Sequence, residues 1–219
     1  VLARVRIIVP DRPGSLGRVA SAIGVAGADI VKVDVLDSES GRAVDDVFVQ
    51  VRDRRHLDAV RDGLASVLGI SVVGVQHPAP PVGGHADLEL LRQVVGNRSR
   101  GLRTFLDGAP GAFGADWAAI VSFDEQGEPD RVVATSVSCP GADRVVLRSA
   151  LRLGAVRMTP PGATEPYGGT ALVPLDGRSA MVLVRQDGPD FHRDELWRLD
   201  QVVALVGTLT DTSADLPTD

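Results

Sequence analysis

Apolar and charged side chains alternate at the start of the chain, Val5, Ile7 and Val9 against Arg4 and Arg6. A period of two among β-branched residues predicts a half-buried strand over about 4–10. The pattern breaks at Asp11-Arg12-Pro13-Gly14. Beyond it, Leu16, Val19, Ala20, Ile23 and Ala26 recur at helical spacing, which predicts a helix over about 15–26 with Ser15 as its N-cap. Gly27 closes that helix, and Val31, Val33 and Val35, alternating with Lys32 and Asp34, predict a strand over about 29–36. The segment 38–42 reads as a turn. A third strand follows over about 45–51, with Val47, Val49 and Val51 on one face. Asp53 then caps a predicted helix over about 54–68, whose stripe is Leu57, Val60, Leu64, Val67 and Leu68. Gly69 ends it, and Ile70 to Val75 make a fourth strand.

The order strand, helix, strand, strand, helix, strand is that of a ferredoxin-like βαββαβ sandwich, an α+β architecture. Its apolar positions face the helices and its polar positions face outward, so the sheet is expected to be covered on one face only. Its open edge invites pairing with a second copy. The first strand also delivers its end to a helix start, where free N–H groups and the positive end of the helix dipole suit a carboxylate or phosphate. Most such junctions bind nothing.

Residues 77–86, centred on Pro78-Ala79-Pro80-Pro81-Val82-Gly83-Gly84, read as a spacer between domains. The pattern then resumes over 87–211. Leu88, Leu91 and Val95, then Leu102, Phe105, Leu106 and Ala109, predict helix, bent or broken at Gly96 and Gly101. Residues 118–123 and 131–137 read as strands around the turn Asp124-Glu125-Gln126-Gly127, and 143–153 as a helix. Residues 159–169 read as a loop in which Glu165 and Tyr167 are candidate pocket residues. Strands at 170–174 and 179–185 form a hairpin through 175–178. A last helix carries Leu196, Leu199, Val203, Val206 and Leu209, with His192 in its cap, and 212–219 is a polar tail. Trp117 and Trp197 are expected in the core.

Composition narrows the function. The first 76 residues carry equal numbers of basic and acidic side chains, so the net charge of −6 resides in the remainder. Neither half is basic, which argues against nucleic-acid binding. No apolar run is long enough to span a membrane, and no signal peptide is read at the start. The single cysteine, Cys139, rules out an internal disulfide and fits a cytoplasmic setting. No nucleophile elbow, phosphate loop or metal-ligand spacing is present, so the expectation is a non-catalytic protein without cofactor or metal.

The string Asp11-Arg12-Pro13-Gly14-Ser15-Leu16, followed by Val19, Ile23 and Gly27-Ala28-Asp29-Ile30, resembles the ACT domain, a small regulatory module that binds amino acids. In that family an amino acid lies between two units. One gives the loop after the first strand and the start of the first helix, and the other gives the start of the second strand. The resemblance therefore implies Asp11, Arg12, Gly14, Ser15 and Leu16 on one side, and Asp29 and Ile30 on the other. Asp11 would accept from an ammonium group, and the N–H groups from Gly14 to Leu16 would hold a carboxylate. Asp29 stands where the family often has Asn. In the second half, Phe113-Gly114-Ala115-Asp116, Val173-Pro174-Leu175, Val182-Leu183-Val184 and Phe191 with Glu195-Leu196 resemble a GAF domain, a sensory fold with a central antiparallel sheet flanked by helices. These resemblances imply a homodimeric regulatory protein that senses a small effector, an amino acid. Two alternatives stay open: an adaptor that dimerises through its first domain and contacts a protein partner through its second, and an enzyme with an unrecognised site.

Overall fold

A computed structural model describes residues 1–77, 83–145, 147, 151–152, 154–158, 167–186 and 188–210. The prolines of the spacer, Glu165 with most of its loop, and the tail from 212 lie outside the described residues. The chain divides into two compact units, one built on residues 1–83 and one on residues after Gly83.

The first unit contains β1 (Leu2–Pro10), α1 (Ser15–Val25), β2 (Asp29–Glu39), β3 (Arg42–Gln50), α2 (Arg54–Ala65) and β4 (Ser71–Gln76). The strands form an antiparallel sheet in the order β2-β3-β1-β4, which is the expected βαββαβ sandwich. Val5, Ile7, Val9, Val47 and Val49 meet Val19 and Ile23 of α1 and Leu57, Val60 and Leu64 of α2 in one core. The Asp53 side chain accepts from the His56 amide at 2.8 Å and caps α2.

Four local expectations change. Ser15 is the first helical residue of α1, not its cap; Gly14 holds the cap position in the left-handed region at φ 88°. α2 stops at Ala65, because the chain turns tightly through Ser66–Gly69, with Gly69 at φ 86°. That turn leaves Leu68 90% exposed. In β2 the ladder shifts register between Ile30 and Lys32 and again between Val35 and Asp37. The first bulge slips the side-chain alternation, so Ile30 and Val33 both reach the core while Val31 is exposed; Val35 keeps the face of Val33, opposite Asp45, and is exposed there. Finally, the second face of the sheet is not a plain polar surface, because Arg4, Arg6 and Asp46 are buried on it. Arg6 makes a bidentate pair with Asp46, both bonds at 2.7 Å, and Arg4 Nη1 lies 3.7 Å from the same carboxylate. Pairing of this quality is what permits the charges to be buried.

The second unit contains α3 (Ala86–Gly96), α4 (Gly101–Phe113), β5 (Trp117–Phe123), β6 (Pro129–Thr135), β7 (Gly154–Met158), β8 (Tyr167–Pro174), β9 (Ser179–Val184) and α5 (Arg193–Leu209). A single 3-10 turn, Arg98–Arg100, separates α3 from α4 between the two glycines. The sheet is antiparallel, in the order β6-β5-β9-β8-β7. One face packs Ala118, Ile120, Val173, Met181 and Leu183 against α3, α4 and α5. The other face carries Trp117, Val121, Leu172, Val182 and Val184 under Val145, Leu147 and Leu151. β9 is therefore buried at every position, as a strand covered on both faces must be.

The helix expected over 143–153 is not formed in the residues described there: a 3-10 turn spans Ala142–Arg144, and Leu147 lies in a bridge. Trp197 is 65% exposed, one step around α5 from the inward stripe of Leu196, Leu199, Val203 and Val206. Just past β9, the fully buried Arg185 ties the layers together. Its guanidinium donates to the carbonyls of Gly114 (2.8 Å) and Phe113 (2.9 Å) at the end of α4 and to Glu195 (2.6 and 3.2 Å) at the start of α5, and it lies 3.7 Å from the centre of the Phe191 ring. A cation thus meets the negative end of one helix, and an anion sits at the positive end of another.

Candidate functional site

The strand-to-helix junction of the first unit is built by backbone bonds. The Asp11 amide donates to the Gly41 carbonyl at 2.9 Å, which extends the β1–β3 ladder by one residue. The Arg12 amide turns back to Pro10, and the Ser15 amide to Arg12. Gly14 then enters the left-handed region, where a Cβ would be strained, and sends the chain into α1. Among the described residues, the amides of Leu16 and Gly17 donate to no acceptor. α1 has no side-chain cap and no acidic residue in its first turn, so the positive end of its dipole is uncompensated. Asp11, Arg12 and Gly14 are exposed, Leu16 is 43% exposed, and Ser15 is buried. Arg18 fixes α1 against the end of α2 through the Leu68 carbonyl at 3.1 Å. The Asp11 carboxylate accepts from the Ser38 hydroxyl at the end of β2.

A further residue at this end was not singled out from the sequence. Asp45 of β3 is 1% exposed, and its Oδ1 has no hydrogen-bond partner among the described residues. It stands opposite Ile7 of β1 and Val35 of β2 and shares the helix-side face of β3 with Ala43 and Val47. Burial pushes its carboxyl above the ordinary carboxylate range, and the charges of Asp46 and Asp11 push it further. The signal was present in the sequence: the period of two through Val47, Val49 and Val51, carried back one step, puts Asp45 on the core face.

The predicted site residues separate into two groups. Asp11, Arg12, Gly14, Ser15 and Leu16 gather at one end of the sheet, where Pro10 pairs with Arg42. Asp29 and Ile30 lie at the other end, where Asp29 pairs with Gln50. From Arg42 to Gln50 is eight residues of β3, or about 27 Å at an antiparallel rise near 3.4 Å. One chain cannot close both groups around a small molecule.

Other features point to structure. His56 is held at both ring nitrogens, by the Arg52 amide (3.1 Å) and the Ala26 carbonyl (3.0 Å). His192 and Glu195 form a capping box on α5. An open groove of about 400 Å³ runs between α1 and α2, lined by Arg18, Ser21, Ala22, Val25, Gly63 and Val67. Among the described residues, no three His, Cys, Asp or Glu side chains are placed to hold a metal, and no helix is long and apolar enough to cross a membrane.

An ACT-domain family model matches residues 2–74. A NAD-dependent malic enzyme of Geobacillus stearothermophilus is 36% identical over 61 residues, which is 28% of this chain and 13% of that enzyme. The chain thus spans about an eighth of the length of this curated relative. Among solved structures, the ACT domain from a GTP pyrophosphokinase of Chlorobium tepidum aligns with 39% of this chain and 93% of its own, at 20% identity and a TM-score of 0.31. The GAF domain from a phosphoenolpyruvate-protein phosphotransferase of Coxiella burnetii aligns with 57% of this chain and 94% of its own, at 18% identity and a TM-score of 0.39.

Proposed function

We propose that this chain is a non-catalytic, cytoplasmic regulatory protein whose first unit binds a small effector, an amino acid, between two copies of itself. The observation that carries the reading is the split site: an uncapped helix N-terminus at one end of the sheet and Asp29 with Ile30 about 27 Å away at the other. β2 is an edge strand with Val31 and Val35 exposed. A two-fold axis relating two β2 edges makes them antiparallel. Such pairing sets the start of one β2 beside the end of the other, next to Asp11 and the start of α1. Each of the two sites then takes one group from each chain. The ACT-domain match over residues 2–74 supports this reading.

In this reading the second unit is a GAF-like sensory module. Its five-stranded antiparallel sheet, with helices on one face and loops on the other, agrees with the short strings that suggested it. Effector binding changes how two chains pack, and the second unit transmits the change.

A melting-temperature screen against the twenty amino acids tests this. A ligand that binds only the folded state at 100-fold saturation adds about 2.7 kcal/mol. The expected result is a rise with one or a few amino acids that is lost in Gly14→Val and Asp29→Trp, in a protein that sediments as a dimer. A flat screen, or a monomer that binds, contradicts it. One observation favours the adaptor reading, in which the first unit dimerises and the second contacts a protein partner: Trp197 and Leu205 of α5 are 65% and 50% exposed, where a partner would cover them. A flat screen combined with a stable dimer selects that reading.

A further inference from the structure

Asp45 is a cost that the sandwich by itself does not explain. A buried carboxylate oxygen without a donor is destabilising, and among the described residues none donates to Asp45 Oδ1. Arg4 and Arg6 converge on Asp46, which points to the opposite face of the sheet, and Lys32 pairs with Asp34 at 2.7 Å. The neighbours of Asp45 across the ladder, Ile7 and Val35, bring no donor. Asp11 differs, since the Ser38 hydroxyl already donates to it. Asp45 therefore offers an open valence on the helix-side face at this end of the sheet. The start of α1 carries open N–H donors and an uncompensated positive dipole.

We propose that Asp45 is the ammonium anchor of the α1 site and restricts its ligand to small molecules that carry both a carboxylate and a free amine. The proposal rests on the reading of the α1 N-terminus as an effector site. The ligand carboxylate accepts from the Leu16 and Gly17 amides, and its ammonium group donates to Asp45. The pair is charge-assisted at both ends and carries no net charge into the protein. Asp11 and Asp45 together repel a ligand with a second negative charge, so phosphate and dicarboxylates without an amine are excluded. A carboxylic acid lacking the amine leaves Asp45 as it stands in the empty site and gains only the helix contact.

Calorimetric titration of the full chain at neutral pH tests this. The probes are the twenty amino acids, the deaminated acid of each one that binds (propionate for alanine), and inorganic phosphate. The proteins are the wild type and Asp45→Asn. The expected result is that an amino acid binds the wild type, its deaminated acid binds at least tenfold more weakly, and Asp45→Asn loses at least tenfold in affinity for the amino acid. The variant is also expected to melt no lower than the wild type without ligand, because it removes a buried charge. If Asp45→Asn fails to fold, the comparison of amino acid with deaminated acid on the wild type decides alone. Unchanged affinity in folded Asp45→Asn, or equal binding of the deaminated acid, overturns the anchor and leaves the effector site standing. Phosphate binding as well as the amino acid overturns it in favour of a simple anion site. Absence of all binding overturns both the anchor and the effector site.

Discussion

Replacing Arg185 by Met keeps the aliphatic stem and removes the guanidinium. Two carbonyls at the end of α4 lose their donor, and Glu195 loses a bidentate partner. Contact with the Phe191 ring is lost as well. Arg185 is fully buried and the Glu195 side chain is 19% exposed, so water replaces little on the arginine side. Removing one partner of a buried ion pair costs about 3–5 kcal/mol. Glu195 keeps its bond from the His192 amide at 2.9 Å and its place at a helix start, which sets the expectation toward the lower part of that range. At about 4 °C per kcal/mol for a unit of this size, a loss of about 3–4 kcal/mol lowers the midpoint by about 12–16 °C. Both tryptophans, Trp117 and Trp197, belong to the second unit, so tryptophan fluorescence during thermal melting reports this unit alone. Glu195→Gln and the double variant complete a cycle whose coupling is expected to reach about 1–3 kcal/mol. A loss below about 1 kcal/mol in Arg185→Met, the level of an exposed pair, would refute the idea that this cluster joins α4, β9 and α5.

Asp45→Asn is expected to stabilise the ligand-free first unit at pH 7 by about 1–3 kcal/mol, read by far-UV circular dichroism. The sign follows from the raised carboxyl: the folded state holds the proton more tightly than the unfolded one, so the wild type loses stability as pH rises from the ordinary value of 3.8 to the raised one. The gain from Asn therefore vanishes below that ordinary value and is complete above the raised one. Gly14→Ala meets no atom within 4 Å, so its cost is the left-handed backbone alone, about 1–2 kcal/mol by the same melt. Asp53→Ala removes the α2 cap and is expected to cost about 1 kcal/mol, with faster hydrogen exchange at the His56 amide.

Periodic elements were legible because burial repeats along them. The α1 stripe, the α2 stripe and its Asp53 cap, the β8–β9 hairpin and the His192 cap all follow from spacing within a few residues. The β2 bulges were not legible, because a slip of one residue depends on the partner strand and leaves Val31, Val33 and Val35 looking like one face. The role of Arg185 was hidden for a related reason: its carbonyl acceptors lie 71 and 72 residues away, and a lone arginine after an apolar run reads as a strand end. Val145, Leu147 and Leu151 misled because their apolar spacing fits a helix stripe as well as residues that cover the sheet. At the candidate site, the junction of β1 and α1 was read from its residues, but Asp45 needed the period of β3 followed past its apolar part. That Asp29 sits at the far end of the same sheet follows only from the strand order.

The central claim is that each site takes one group from each of two chains, and subunit mixing tests it most directly. Gly14→Val and Asp29→Trp each disable a different half and are expected to bind no amino acid alone. In a heterodimer of the two, one site receives both altered halves and the other receives both intact ones. Random mixing makes half the dimers hybrid, so titration of the mixture should recover about a quarter of the wild-type stoichiometry at wild-type affinity. No recovery, with hybrid dimers shown to form, would contradict the account and put the effector site within a single chain.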